Sequence, residues 1–299
     1  MIFHRVRYIL QKCLIVMFLA VFPLLTVHAD MDPEDKKLDE SLNYKQDVVS
    51  LMDKSVVVKP GVKFRYLSPE DAEKVLVDGW GNPPTSPDEP SLLGMIVPAD
   101  TSPFDDKGWG AELFFESDSY ISDEDANSID YDLILKDMKK SNIEENKVRE
   151  RHGYEALHLI GWAEPPHYDP SSHTIYWALR LHSKDSGEFI NYYIRNLGRY
   201  GVFNINIIAS AEQLPTIKKE ASNLLKIVSF AEGHRYQDRR FWDTTSTYTL
   251  GALVAGGAAV AAKKVGMLGL VILFVKKFFV VIIAAFAVLA KFLFGRKKS

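Results

Sequence analysis

Apolar and polar positions between residues 157 and 208 form a pattern typical of four successive β-strands. Each apolar stretch is short, rich in β-branched or aromatic residues, and bounded by Gly, Pro, Asp or Ser. Short turns join one stretch to the next, so consecutive strands should pair antiparallel, as a meander. The predicted strands are 157–163, 174–181, 189–195 and 202–208.

The segment after this meander changes to helical spacing. Its apolar residues recur at intervals of three, four, three and four. This spacing places them on one face of an amphipathic helix, which we expect to pack across the sheet. The residues are Leu214, Ile217, Ala221, Leu224 and Val228.

The N-terminal part of the body carries the signals of further strands and helices. Residues 62–66 alternate apolar and basic side chains with a period of two, which predicts a half-buried strand. Ser68, followed by Pro69 and two acids, is the start signal of a helix, which should end near Gly79. Further strands are predicted at 56–58, 92–97 and 109–115, and a long helix after the acidic residues 123–125. The fold class is therefore α+β, an antiparallel meander packed with helices.

The N-terminus has the three-part pattern of a secretory signal. Three basic residues precede the apolar run at 13–25, and small residues follow at Val27 and Ala29. The run is shorter than the roughly 20 residues that span a membrane. We therefore predict cleavage after Ala29, with an uncleaved N-terminal anchor as the alternative.

The C-terminus has the pattern of a membrane anchor. Residues 278–294 are apolar except for Lys291 and would form about 25 Å of helix. Lys277 at one end and the basic tail at the other can reach the two membrane surfaces. Small residues at Gly251, Ala255 and Ala259 leave open a second, weaker span at 248–262 that would pair with the first as a hairpin.

These signals divide the chain into six parts, and the basic tail favours a cytoplasmic C-terminus. A cleaved signal would place the body on the other side of the membrane. The parts are a signal peptide at 1–29, a linker at 30–50, an exported α+β domain at 51–237, a polar connector at 238–247, an anchor region at 248–294 with its span at 278–294, and a basic tail at 295–299.

The net charge of −3 combines two basic ends with an acidic body. Residues 263–299 hold eight Lys or Arg and no acid, and residues 1–29 hold three and no acid. The body between them carries 25 basic and 39 acidic residues, a net charge of −14. An acidic body disfavours a nucleic-acid partner. The single cysteine, Cys13, excludes a disulfide framework.

The candidate chemistry of the body is sparse, and no catalytic residue, metal ligand or cofactor is assigned. His167, Asp169 and His173 have metal-ligand side chains, but they lie in a proline-flanked hairpin turn that explains them better. The acidic run at 118–132 lacks the calcium-loop pattern, and no GxSxG motif is present. We therefore expect folding without a metal.

Aromatic residues near turns offer the best candidate for a ligand site. If a ligand groove exists, it should lie where Trp80, Trp109 and Trp162 converge near Glu164 and His167. Aromatic residues with this pattern also form ordinary cores, which is the favoured interpretation of these tryptophans.

The body contains six distinctive motifs: WGNPP at 80–84, LGMIVPAD at 93–100, GWG at 108–110, YISDEDA at 120–126, IDYD at 129–132 and GWAEPPHYD at 161–169. They resemble motifs of one bacterial family of predicted membrane-anchored proteins, known as domain of unknown function 2167. The likeness runs from about Val56 to the C-terminus and implies an envelope protein with a signal, an exported domain and an anchor, but no activity. A weaker likeness, in fold only, is to the sandwich of PsbP and the nuclear-transport factor Mog.

The prediction for function is a membrane-anchored envelope protein that acts as a non-enzymatic binding or scaffold module. The main domain would be periplasmic and held on the inner membrane, with the lipid bilayer and membrane or periplasmic proteins as partners. Two alternatives stay open: an envelope hydrolase whose site forms only in the fold, and a subunit of a membrane complex. The sequence identifies neither a ligand nor an oligomeric state.

Overall fold

A computed structural model describes residues 31–84 and 90–256 of the chain. Ten strands form two antiparallel sheets, a large one in the spatial order β3-β4-β5-β9-β8-β7-β6 and a small one in the order β1-β2-β10. In chain order the strands are β1 Val49–Leu51, β2 Val56–Val58, β3 Phe64–Leu67, β4 Leu92–Pro98, β5 Gly110–Ser117, β6 His158–Asp169, β7 Thr174–Ser183, β8 Gly187–Gly198, β9 Gly201–Ser210 and β10 Val228–Phe230.

The same region contains five α-helices, which makes the fold mixed α+β, as predicted. The second helix continues into a wider π-turn at Lys74–Gly79, so this segment ends at the predicted glycine. The helices are α1 Pro33–Glu40, α2 Pro69–Glu73, α3 Tyr131–Arg151, α4 Leu214–Ile227 and α5 Leu250–Val254.

The predicted meander is confirmed. Strands β6, β7, β8 and β9 are consecutive antiparallel neighbours in the large sheet. Residues from β8 and β9 form much of the core because both strands lie inside the sheet rather than at its edge. Each pair of consecutive strands forms a long hairpin, so many contacts of the core are made between residues that are close in sequence.

One face of the large sheet is covered by α4, as the apolar spacing predicted. Ile217, Ala221 and Leu224 are buried on this helix, and they belong to the same apolar cluster as Ile194 and Ile205 of the sheet. The helix ends one residue before the predicted Val228. That valine instead pairs with Val58 in the small sheet, which extends the same cluster.

The opposite face carries two separate apolar clusters. One lies beneath α2 and contains Leu67, Met95 and Val97. The other contains the buried Trp177 and residues of α5, with side chains of α3 packed only partly against it. Between the two clusters the central strands present polar side chains, which leaves this face less completely filled.

The predicted linker at 30–50 is more ordered than expected. Asp32 caps α1 by accepting a hydrogen bond from the backbone N–H of Glu34, and Leu42 is buried in the cluster beneath α2. The backbone N–H of Asn43 donates to the buried carboxylate of Asp71 at 3.1 Å. These contacts explain why the segment forms a helix and packs against the body.

The predicted polar connector also lies against the body. Arg199, at the end of the β8–β9 hairpin, donates two hydrogen bonds to Asp243 at 2.7 and 2.8 Å. Tyr120 forms an isolated parallel bridge with Thr245. The following α5 is buried throughout, so the described start of the predicted anchor region belongs to the core.

None of the helices that the structure describes is long and apolar enough to cross a membrane. The predicted signal at 1–29 and the predicted span at 278–294 lie outside the described residues, as do residues 257–262 of the alternative span at 248–262.

Candidate ligand-binding groove

Helix α3 is attached to the sheet by asparagines. Strand β6 is at the edge of the large sheet, and Asn142 and Asn146 bind backbone groups at its start as a neighbouring strand would. Asn142 donates to the carbonyl of Leu157 at 2.9 Å and accepts from the N–H of Leu159 at 3.0 Å. Asn146 accepts from the N–H of Leu157 at 2.8 Å and is the one buried side chain on this 21-residue helix.

Because apolar side chains of α3 do not fill the space beneath it, a groove of about 810 Å³ lies between the helix and the sheet. This volume is in the range of small-molecule and peptide sites. The floor is apolar, and α5 together with Gly256 closes one end. The floor residues are Leu157, Leu159, Leu179, Leu181 and Tyr193.

A second cavity of about 480 Å³ adjoins the groove toward the cluster beneath α2. The two cavities share Arg149, Leu157 and Asn191 in their walls, and the second extends to Trp80 and Phe104. An elongated ligand can therefore continue from one cavity into the other past Asn191.

Asn191 is the polar feature of the groove floor. Its side-chain N–H donates to the hydroxyl of Tyr193 at 3.3 Å, while its Oδ1 is buried and has no hydrogen-bond partner. A buried acceptor without a partner is uncommon in folded proteins and costs free energy. A ligand N–H donor at this position would relieve that cost.

The rim of the groove is acidic. Four carboxylates line it, from Asp125, Asp130, Asp137 and Glu145, against the single cationic side chain of Arg149 among the described lining residues. The guanidinium of Arg149 donates to the backbone carbonyl of Glu155 at 2.7 Å. The rim therefore favours a ligand with positive charge.

A buried arginine of β8 packs against Tyr193 of the groove floor. Arg195 donates to Asn206 at 2.6 Å, and its guanidinium lies 5.1 Å and 5.0 Å from the ring centroids of Trp177 and Tyr193. Burial lowers the pKa of Arg195, and the nearby Tyr193 and glutamates oppose that shift. The aromatic faces and the amide compensate part of the desolvation of the guanidinium.

The structure does not bring the five predicted site residues together. Trp80 lines the second cavity and donates to the carbonyl of Pro103 at 3.2 Å. Trp109 is buried against Phe64 on the α4 side of the sheet. Trp162 packs partly against the cluster that contains Trp177, on the opposite side.

Glu164 and His167 do lie close together, on the α4 side. His167 Nδ1 is 3.7 Å from the carboxylate of Glu164, and Lys218 Nζ of α4 is 3.2 Å from the same oxygen. The other oxygen of Glu164 is buried without a hydrogen-bond partner. The predicted ligand-binding role of these residues stays a prediction, and neither lines the groove.

The groove residues were not predicted from the sequence. A signal for them exists in the helix itself, because Asn142 and Asn146 stand four residues apart and therefore on one face of α3. A pair of amides on the inward face of a long helix indicates attachment to backbone groups, and the space beside such an attachment is where a cavity can remain.

The residues considered as metal ligands have other partners. Asp169 accepts hydrogen bonds from Ser171 and Ser172, which lower the pKa of its carboxyl. His173 Nδ1 lies 3.2 Å from the hydroxyl of Tyr168, which donates to Asp123 at 2.6 Å. Within residues 31–84 and 90–256, no group of three or more His, Cys, Asp or Glu side chains is arranged to hold a metal.

Folding without metal is directly testable. We expect the melting temperature of the purified protein to be the same with and without EDTA, because a structural metal site would contribute folding free energy that a chelator removes. A drop of about ten degrees or more that zinc or calcium restores would contradict this prediction.

Comparison with known families identifies the chain's relatives. The family model described as Protein of unknown function (DUF2167) matches residues 43–287, most of the chain. The chain belongs to this family. The DUF2167 match includes all strands of both sheets and the whole groove, and it confirms the resemblance inferred from the sequence motifs.

No curated protein matches the chain. Among solved structures, the chain is similar to the solution structure of cyanobacterial PsbP (CyanoP) from Synechocystis sp. PCC 6803, with a TM-score of 0.36 and 9% identity over 62% of this chain and 92% of that chain. The α+β class of this DUF2167 protein follows from its own strand pairing.

Proposed function

We propose that the protein is a binding module of the bacterial cell envelope. In this proposal the signal at 1–29 exports the body, and residues 278–294 hold it on the inner membrane with the main domain periplasmic and the tail cytoplasmic. The apolar and basic pattern at the two ends of the sequence supports this location.

The observation that carries a binding function is the groove beneath α3. It combines an apolar floor, an acidic rim and the unpaired acceptor of Asn191. An apolar polypeptide segment that carries Lys or Arg matches all three, because its side chains cover the floor and a backbone N–H reaches Asn191. The four rim carboxylates disfavour the phosphate of a lipid headgroup.

The geometry favours binding over hydrolysis. A hydrolase built on Glu164 and His167 would need further acid or nucleophile groups in a cleft with them. Among the described residues, the third charged group beside this pair is Lys218, and the pair does not line the groove. The carboxylates of the groove rim serve charge complementarity instead.

The charge of the rim gives a sharp test with a peptide probe. A fluorescent peptide of Leu and Ala with lysines at both ends should bind the full-length protein more tightly than the same peptide with glutamates at both ends. The substitution Glu145→Lys should weaken binding of the lysine peptide by about threefold to fivefold, the range expected for one exposed charge. Fluorescence anisotropy at low salt measures both effects.

The matched control is Glu150→Lys, which makes the same charge change on the same helix at an exposed position that does not line the groove. It should change the affinity by less than twofold. A photo-crosslinker at the centre of the peptide should label α3 and the start of β6. Equal binding of both peptides, or labelling around Glu164 and His167, would reject the groove as the site.

A further inference from the structure

Two exposed aromatic side chains lie outside the groove, in the turn at residues 240–243. Phe241 is 94% exposed and Trp242 is 59% exposed, and their rings contact each other edge to face with centroids 4.6 Å apart. Two adjacent exposed aromatic side chains of this size are unfavourable in water and indicate a surface that contacts another phase or molecule.

The turn that presents these aromatics is firmly held. The backbone N–H of Asp243 donates to the carbonyl of Arg240 at 3.0 Å, and the N–H of Arg240 donates to the carboxylate of Asp243 at 2.7 Å. The same carboxylate is bound by Arg199, whose side chain is only 6% exposed. The aromatic pair is therefore displayed on a fixed turn.

The exposed charges beside the pair are positive, because the carboxylate of the adjacent Asp243 is buried against Arg199. Arg239 and Arg240 precede it and are exposed, and the guanidinium of Arg240 lies 5.3 Å from the centroid of the Trp242 ring. Trp is enriched at the level of lipid headgroups, and nearby Arg residues are attracted to anionic lipids. In sequence, five residues separate Trp242 from the predicted anchor region that begins at residue 248.

We propose that the turn formed by Arg239, Arg240, Phe241 and Trp242 inserts its aromatic pair into the headgroup region of an anionic bilayer. The folded body thus has a lipid contact of its own, which orients the domain on the membrane surface. This contact is independent of the groove and of the ligand bound there.

Tryptophan fluorescence tests the contact without truncating the protein. The chain has five tryptophans, all in the described residues, and Trp242 is the one that is exposed. Full-length protein is combined with vesicles of phosphatidylcholine and phosphatidylglycerol that carry brominated acyl chains. We expect quenching in the wild type and loss of most of that quenching in Trp242→Phe. The matched control Trp162→Phe should keep it.

The arginines supply a second arm of the test. In a variant with Arg239→Ser and Arg240→Ser, quenching should fall in vesicles with phosphatidylglycerol and stay near the wild-type value in neutral vesicles. Equal lipid quenching in wild type and Trp242→Phe would overturn the proposal. Failure of the protein to float with the vesicles would also overturn it, as would flotation in which Trp242 stays fully accessible to aqueous iodide. Shielding of Trp242 from iodide in the absence of lipid would overturn it too, because that result would indicate a protein partner.

Discussion

Replacing Arg199 with methionine should lower the melting temperature by about 5–10 °C. The guanidinium holds Asp243 through two hydrogen bonds, and both side chains are more than nine-tenths buried. Methionine is similar in length, so the main loss is the charge that compensates the buried carboxylate. Residues 236–254 should then loosen before the sheet unfolds, which differential scanning calorimetry and hydrogen exchange of α5 can detect.

The matched control for this prediction is Arg235→Met. Arg235 and Asp238 form the same kind of two-bond pair at 2.8 Å, but the arginine side chain is 44% exposed. Exposed ion pairs contribute little to stability because solvent screens them. A fall in melting temperature as large for Arg235→Met as for Arg199→Met would show that burial of the Arg199 pair is not what stabilises the connector.

The pH dependence of stability supports the same test. The hydrogen bonds and charge of Arg199 lower the pKa of Asp243 to about 2, below the value of about 3.9 for an unfolded aspartate. The stability that this carboxylate adds is therefore fully present above about pH 4 and is lost as the pH falls toward about 2. An Asp243→Asn variant should lose less stability than the wild type over this interval.

The second large effect is expected at Asn146. Asn146→Ala should lower the free energy of unfolding by about 1–3 kcal/mol, because the backbone N–H of Leu157 loses its partner on α3 and the Leu157 carbonyl keeps only the hydrogen bond from Asn142. Urea denaturation measures the change. Hydrogen exchange should show faster exchange of the Leu157 amide and of α3, and binding of the lysine peptide should fall because α3 forms one wall of the groove.

Asn223→Ala provides the control for Asn146. Asn223 is also on a helix and donates one hydrogen bond to Glu220 at 2.9 Å, close by on the same helix α4. Its removal should change the free energy of unfolding by less than about 0.5 kcal/mol. A similar change at both positions would mean that the attachment of α3 to β6 does not stabilise the domain.

Elements with a clear local period were predicted correctly. The four strands of the meander follow from short apolar stretches joined by short turns. The apolar face of α4 follows from apolar residues spaced three and four positions apart. Each depends on residues close in sequence, so the pattern alone was sufficient. The small sheet was not predicted as a unit, since it pairs β2 near the N-terminus with β10, about 170 residues later in the chain.

The three tryptophans do not converge, for a physical reason. Strand β6 changes register against β7 at three places between Leu159 and His167. Each bulge adds a residue and shifts the alternation of side chains between the two faces. The side on which Trp162 or Glu164 lies therefore cannot be counted from the sequence, and Trp80 and Trp109 reach different clusters on opposite sides of the sheet.

The sequence by itself determined the fold class, the meander, the covering helix α4 and the family, because periodicity, turn residues and contiguous motifs are local properties. Tertiary structure alone decided the groove and the docking of the connector. The groove depends on hydrogen bonds from Asn142 and Asn146 to the backbone of β6, and the connector depends on the pair of Arg199 and Asp243, 44 residues apart. The spacing of Asn142 and Asn146 indicates an attachment to backbone, but not which backbone groups are bound, since these carry no residue-specific signal. A distant ion pair has no period, so its partner cannot be inferred before the chain is folded.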